Sequence, residues 1–119
     1  MSLTQAKLLI VAVFFPLLTL AQSGTSTISG TVKDATGSSV PQAKVHVVNE
    51  QTGYTQSTLT NETGVFRAGS LVPGPYRVDV EADGFQKLVR GPVTLEVGQV
   101  IALDFALELG KASETVTVT

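Results

Sequence analysis

The sequence has no cysteine, no tryptophan and a single histidine, His46. A domain of this size without cysteine has no disulfides, so its stability depends on a packed hydrophobic core. Familiar zinc sites of hydrolases use several histidine and carboxylate ligands, and one histidine excludes such a histidine-rich triad. Basic residues are also few, because eight Lys and Arg stand against ten Asp and Glu for a net charge of −2. This charge provides no basic surface for nucleic acid, and we expect no nucleic-acid partner.

The N-terminal 21 residues have the order of features that defines a secretory signal peptide. A short stretch ending at Lys7 precedes an apolar run over residues 8–20, and small residues follow it. The run is shorter than the about 20 residues with which a helix crosses a bilayer, which argues against the alternative of an uncleaved anchor. We predict cleavage after Ala21, or alternatively after Ser23, so that the chain contacts a membrane only during export.

Beyond this segment, apolar and polar residues alternate with a period of two, which places alternate side chains on one face of a β-strand. Residues 76–82 and 101–109 show the pattern most clearly. Turn signals separate the alternating segments at intervals typical of all-β domains. These signals are Thr36-Gly37, Thr52-Gly53, Thr63-Gly64, Asp83-Gly84 and Gly98-Gln99.

These patterns predict an all-β fold of seven strands. The predicted strands are 27–34, 43–49, 54–60, 65–68, 76–82, 86–97 with a break at Gly91-Pro92, and 100–109. The residues 73–75 are predicted as a connection, because proline donates no hydrogen bond to a sheet. Strands with one apolar and one polar face need a second sheet to cover the apolar face, so we predict a two-sheet β-sandwich over residues 22–109. Residues 110–119 are predicted as a C-terminal tail or linker with a frayed end, although 115–119 alternate like a strand.

Glycine, proline and aromatic residues recur at spacings that carry a family resemblance. They lie in the segments GTVKDATG (30–37), VPQAKV (40–45), TNETGVFR (60–67), LVPGPY (71–76) and ADGF (82–85). In these segments the chain resembles the carboxypeptidase regulatory-like domain. The resemblance extends over residues 27–109 and implies a seven-stranded, transthyretin-like sandwich, also called a carbohydrate-binding-like fold. Gln42 and Pro75 depart from the residues that are usual in the family, which affects only the expected turn geometry.

The C-terminal third carries a second resemblance. Residues 97–119 resemble the stretch that joins such a domain to the plug of bacterial TonB-dependent outer-membrane receptors. This resemblance implies a non-catalytic structural or interaction module that is exported, located in the periplasm, at the outer membrane or outside the cell, and bound to a protein partner in the cell envelope. A carbohydrate-binding module and an accessory domain of a secreted hydrolase are the alternatives.

Few residues of the sequence are candidates for chemistry. His46 lies between two valines of an alternating segment, so we expect it on the outer face of a sheet. Asp34, Asn61 and Glu62 lie in turns, where a weak calcium site is conceivable but where such side chains mostly cap backbone amides. The sequence therefore predicts no catalytic residue, no metal site and no cofactor. The remaining carboxylates that alternate with core residues, and that we expect on open sheet faces, are Asp79, Glu81, Glu96, Asp104 and Glu108.

Tyr54 is the best candidate for a ligand contact. It follows the Thr52-Gly53 turn, which favours exposure, whereas Tyr76 begins an apolar face. Exposed flat aromatic rings are the surfaces on which sugars stack, and tryptophan is absent here. The alternative is that both tyrosines pack into the domain.

Overall fold

The computed structural model describes residues 24–119, and this part of the chain forms eight β-strands. They are β1 (Ser26–Asp34), β2 (Lys44–Asn49), β3 (Thr55–Leu59), β4 (Val65–Leu71), β5 (Gly74–Glu81), β6 (Lys87–Leu95), β7 (Val100–Leu107) and β8 (Thr115–Val118). The predicted all-β, two-sheet architecture is confirmed, with eight strands in place of seven. The predicted signal peptide, residues 1–21, and the alternative cleavage position Ser23 lie outside the described residues. None of the described segments is a helix long and apolar enough to span a membrane.

The two sheets differ in width. The three-stranded sheet has the order β4-β1-β7, and the five-stranded sheet has the order β3-β2-β5-β6-β8. β1 pairs with β7 in parallel, as β6 does with β8, whereas the other pairs are antiparallel. β3 contacts β4 at one side of the sandwich and β6 contacts β7 at the other. Because β8 lies beyond β6, the five-stranded sheet extends past the three-stranded sheet on that side.

The core lies between the sheets, because alternate residues of most strands face inward. Phe66 of β4 and Phe105 of β7 pack with ring centroids 5.9 Å apart and an interplanar angle of 46°. Gly30 of β1 allows the close approach of the β7 backbone and of the Phe66 ring, since a Cβ at this position would lie 1.7 Å from the carbonyl oxygen of Leu103 and 3.0 Å from the ring. The buried hydrophobic residues are Ile28, Val32, Val40, Ala43, Val45, Val47, Phe66, Ala68, Leu71, Tyr76, Val78, Val80, Leu95, Leu103, Phe105 and Leu107.

Pro75 is the second residue of β5, so the prediction that residues 73–75 form only a connection is wrong at this position. The carbonyl of Pro75 accepts a hydrogen bond from the Glu50 N–H at 2.9 Å, on the side of the strand that faces β2. The nitrogen of the same residue points to the same side, where the pairing of β2 with β5 has already ended at Tyr76. A missing N–H is tolerated there because no ladder bond depends on it.

The predicted break at Gly91-Pro92 is a β-bulge inside a continuous strand β6. Tyr76 pairs with Val93 and Val78 pairs with Arg90, so Gly91 and Pro92 together stand opposite Arg77 alone. A bulge leaves one residue out of the ladder, which is a position that accepts proline.

The frayed C-terminus predicted for residues 115–119 is also wrong, because Thr115–Val118 forms β8. All four residues are exposed, so backbone pairing with β6 rather than side-chain burial holds the strand. The Lys87 N–H donates to the Glu114 carbonyl at 2.9 Å, and the Gln86 Nε2 donates to the Glu114 Oε2 at 2.6 Å. The alternation of this segment is visible in the sequence. That β6 has a free edge with which the segment can pair is not.

Candidate functional site

An open groove of about 260 Å³ runs along the side where β8 extends beyond the three-stranded sheet. One wall is made by β6 and β8, which contribute Leu88, Arg90, Val116 and Val118. Val116 and Val118 are 39% and 45% exposed, because no described strand of the opposite sheet lies over them. The Arg90 side chain is half-buried, and within residues 24–119 it makes no ion pair. The wall is therefore apolar with one unpaired cation.

The other wall of the groove is β7. Phe105 and Leu107 face the core, whereas Asp104, Ala106 and Glu108 lie on the exposed side of the chain. The Glu108 carbonyl accepts a hydrogen bond from the Gln86 N–H at 2.8 Å, which connects the two sheets at this end of the groove. The groove thus has an apolar floor, acidic side chains along one rim and a closed end. A depression of about 540 Å³ on the outer side of β1 and β7 is larger, but it lacks a wall from the second sheet.

Two turns hold the side chains that were considered as calcium ligands. The Asp34 Oδ1 accepts hydrogen bonds from the Thr36 N–H at 2.9 Å, the Thr36 hydroxyl at 2.6 Å and the Ser38 N–H at 3.0 Å. These donors, the Thr36 hydroxyl first among them, lower the pKa of Asp34 from its ordinary value. The carboxylate oxygen therefore caps its own turn.

Asn61 has the same role in the turn between β3 and β4. Its Oδ1 accepts from the Thr63 N–H at 3.0 Å, the Thr63 hydroxyl at 2.8 Å and the Val65 N–H at 2.9 Å. The neighbouring Glu62 is exposed. Within residues 24–119, no three His, Cys, Asp or Glu side chains are arranged to hold a metal ion.

His46 lies on the outer face of the five-stranded sheet, as the alternation predicts. Its Nδ1 lies 2.8 Å from the Ser57 hydroxyl on β3, and the residue opposite it on β5 is Asp79. The prediction that Asp79 lies on an open, wet face is wrong, because this residue is only 7% exposed. Arg77 covers it, with Nε to Oδ1 at 3.0 Å and Nη2 to Oδ2 at 3.4 Å. Asp79 is thus buried because it lies on a central strand and because the long Arg77 side chain covers it. Period-two alternation alone places this carboxylate in solvent.

The structure separates the two tyrosines. Tyr54 is 54% exposed and precedes β3, whereas Tyr76 is fully buried and its hydroxyl donates to the Val72 carbonyl. β3 and β8 are opposite edges of the five-stranded sheet, so Tyr54 is not part of the groove. A ligand contact at Tyr54 stays a prediction.

Sequence reasoning did not find the groove residues Leu88, Arg90, Val116 and Val118. The alternation of residues 115–118 was the available signal, but its meaning depends on which strand edge the segment reaches. Groove formation needs the different widths of the two sheets, and sheet order is not encoded in any local pattern.

A family model of the carboxypeptidase regulatory-like domain matches residues 27–108. The chain belongs to this family. The match runs from the second residue of β1 to the end of β7 and stops before β8, so one wall of the groove comes partly from a strand outside the matched region. A comparison of the sequence with curated proteins finds no match.

Solved structures with the same fold come from several kinds of protein. The TIE protein of Bacillus anthracis is 19% identical with a TM-score of 0.61, over 72% of this chain and 17% of that one. A candidate carbohydrate-binding protein from Bacteroides uniformis is 20% identical with a TM-score of 0.56, over 69% of this chain and 40% of that one. Catechol 1,2-dioxygenase from Acinetobacter sp. ADP1 is 16% identical with a TM-score of 0.57, over 80% of this chain and 59% of that one.

At these identities the likeness shows the fold alone. The matched part of each of these three proteins is less than two thirds of its length. In these three proteins a sandwich of this fold is therefore one part of a larger chain.

Proposed function

We propose that this chain is a non-catalytic interaction module that a bacterium exports to the periplasm or the outer membrane, where its groove binds a protein of the cell envelope. The groove carries the proposal, because it joins an apolar floor to charged rims and opens to solvent along its length. The groups best suited to acid–base or metal chemistry have structural roles instead. Asp34 and Asn61 cap turns, and Asp79 is paired with Arg77.

The more specific part of the proposal is a relation to the N-terminal extension of TonB-dependent receptors. Its support is the resemblance of residues 97–119, which contain the β6–β7 turn, β7 and β8. These residues also form much of the groove, so the segment that carries the resemblance is the segment that we expect to contact the partner.

Site-specific photo-crosslinking in intact cells tests the interaction. A photoreactive phenylalanine analogue at Ala106 lies at the groove, and the same analogue at Leu59 lies on the outer side of β3 at the opposite edge. We expect a discrete adduct with an envelope protein from Ala106 and none from Leu59. Equal adducts from both positions, or no adduct from Ala106, would contradict the proposal.

Export and the absence of catalysis have separate tests. Intact-mass measurement on periplasmic material should show a chain that begins after Ala21 or Ser23, and retention of Met1 would refute the signal peptide. The purified protein should hydrolyse no peptides, esters or glycosides, since each reaction needs a positioned base, paired carboxylates or a metal-bound water. Turnover that survives repurification and disappears in Asp104→Asn would show an enzyme.

Carbohydrate binding is the second candidate, because Tyr54 presents an exposed ring beside a turn. Glycan-array binding that is lost in Tyr54→Ala but retained in Tyr54→Phe would support a stacking role for the ring. Binding that is unaffected by Tyr54→Ala would exclude this residue as the contact.

A further inference from the structure

The edge of β7 differs from the other sheet edges in length and regularity. β7 pairs with β1 along eight consecutive residues without a register shift, and no described strand lies on its other side. By contrast, β4 has an irregular pairing with β1, β3 has five residues and β8 has four. An edge strand presents backbone N–H and C=O groups that another strand can pair with. β7 is thus the best pairing edge in residues 24–119.

A strand that extended the three-stranded sheet beyond β7 would lie opposite β8. Val116 and Val118 project into the groove at this place, together with Leu88 of β6. Such a strand would bury these three side chains and give the two sheets matching widths on this side. The groove is lined on the β7 side by residues 104–108, and its end is closed where the Glu108 carbonyl accepts from the Gln86 N–H. The part of the edge that is open to pairing within the groove therefore corresponds to a strand of about four residues.

The side chains along the groove define the sequence that would fit. One face of the added strand would contact Leu88, Val116 and Val118, which favours apolar residues at every second position. Arg90 lies on the same wall, where its aliphatic stem can pack beside these residues while its guanidinium stays in solvent. The other face would continue the outer surface of β7, where Asp104 and Glu108 alternate with Ala106. Opposite charges on neighbouring strands stabilise pairing, so basic residues are favoured at the intervening positions.

We propose that the groove binds an extended segment of a partner protein, in which apolar and basic residues alternate, as a fourth strand on β7. This inference rests on the proposed interaction function and adds the binding mode and the sequence class of the partner. Backbone pairing with β7 provides affinity, and the alternating side chains provide specificity.

A short peptide probe tests the binding mode. The probe has about seven residues of alternating lysine and valine, blocked at both ends, and its control has the same composition with the lysines and valines in separate blocks. Titration into the isotope-labelled exported protein, followed by amide NMR, should shift β7, β6 and β8 resonances with the alternating peptide only. Equal binding of the two peptides, or shifts at β3 and β4 instead, would overturn the proposal.

N-methylated probes test whether the peptide pairs as a strand. Alternate residues of a strand direct their N–H groups to opposite sides, so methylation of one alternate set blocks pairing with β7 and methylation of the other set does not. We expect binding to be lost with one set and retained with the other. Loss or retention with both sets would refute strand addition.

Two variant pairs test the side chains. Val116→Thr should weaken binding of the alternating peptide about 3- to 5-fold, as expected for removal of one methyl contact, whereas Val72→Thr outside the groove should not. Glu108→Lys should weaken binding about 2- to 5-fold, whereas Glu62→Lys changes the net charge equally and should have no effect. Equal effects within either pair would contradict the proposed contact.

The outcomes also separate this inference from the proposed function. If Ala106 captures an envelope protein in cells but the alternating peptide does not bind, the interaction function stands and the strand mode fails. If concentration-dependent self-association through β7 occurs without peptide, the occupant is a second copy of the chain and the inference is wrong. If neither the crosslink at Ala106 nor binding of the alternating peptide is observed, both proposals fail.

Discussion

The two sides of the sandwich are closed in different ways. On one side, β3 and β4 are joined by a tight turn, and the buried Thr60 connects this turn to the segment before β2. Its hydroxyl donates to the Val40 carbonyl at 2.7 Å and accepts from the Ala43 N–H at 2.9 Å. On the other side, β7 and β8 leave a groove between the sheets. In this sandwich one side is thus sealed by a buried polar contact and the other is left open.

The largest loss of stability should come from a substitution on the core-facing side of β7. Although the edge of this strand is unpaired, its inward side chains are buried. Phe105→Ala removes a ring that packs against Phe66, and we expect a loss of about 3 to 5 kcal/mol in unfolding free energy. Val116→Ala on exposed β8 should cost less than about 1 kcal/mol. Urea denaturation of both variants measures the contrast, and similar midpoints would mean that the faces of β7 are assigned incorrectly.

The turn between β3 and β4, on the closed side, should tolerate an added side chain less well than the equivalent turn after β1. Gly64 and Gly37 occupy matching positions after Asn61 and Asp34, with φ of 75° and 87°. A Cβ at Gly64 would lie 2.5 Å from the Val32 carbonyl oxygen, whereas a Cβ at Gly37 has no neighbour within 4 Å.

Gly37→Ala should therefore cost about 1 to 2 kcal/mol, from the left-handed backbone alone. Gly64→Ala adds a steric contact and should cost about 2 to 4 kcal/mol. Thermal or urea unfolding of the two variants tests this order. Equal costs would show that the turn at Gly64 moves away from Val32 without penalty.

The polar contact that seals the closed side can be removed by Thr60→Val, which keeps the shape of the side chain. The substitution leaves the Ala43 N–H and the Val40 carbonyl without their side-chain partner, and we expect a loss of about 1 to 3 kcal/mol. Thr117→Val on β8 is the matched change on the open side and should be within about 0.5 kcal/mol of the parent. Comparable losses in the two variants would remove the contrast between the sides.

The smallest effect is the pH dependence of the Asp34 turn. The folded-state pKa of Asp34 is lowered from 3.8, so its stabilising contribution is present above that value and is lost as pH falls through the folded pKa. Asp34→Asn reproduces the side chain of the Asn61 turn and removes this titration. Stability measured below about pH 4 should therefore fall less steeply in Asp34→Asn than in the parent, and identical slopes would show that Asp34 does not contribute.

Local patterns in the sequence predicted the strands that bury one face. Residues 76–82 and 101–109 alternate strictly, and the core faces of β5 and β7 follow from that alternation. The Asn or Asp and Thr-Gly signals likewise predicted the turns, since these side chains satisfy backbone donors within a few residues. Such interactions are local, and their physics is contained in the segment itself.

Positions that depend on a neighbouring strand were predicted less well. Pro75 and Pro92 were taken as breaks, yet Pro75 lies where β2 has ended and Pro92 lies in a bulge. Asp79 was expected in solvent, but its central strand and the Arg77 side chain bury it. The environments of the two prolines come from strands distant in sequence. Arg77 is only two residues from Asp79, but period-two alternation does not show that it covers the carboxylate.

The sequence by itself determined the all-β class, the inward faces of the strands and the family, because periodicity, turn chemistry and motif spacing are local properties of the chain. Only the tertiary structure decided that β8 joins β6, that the two sheets differ in width and that a groove lies along β7. Sheet order and edge pairing are set by contacts between segments far apart in the chain, and no local signal specifies which strand edge is left free.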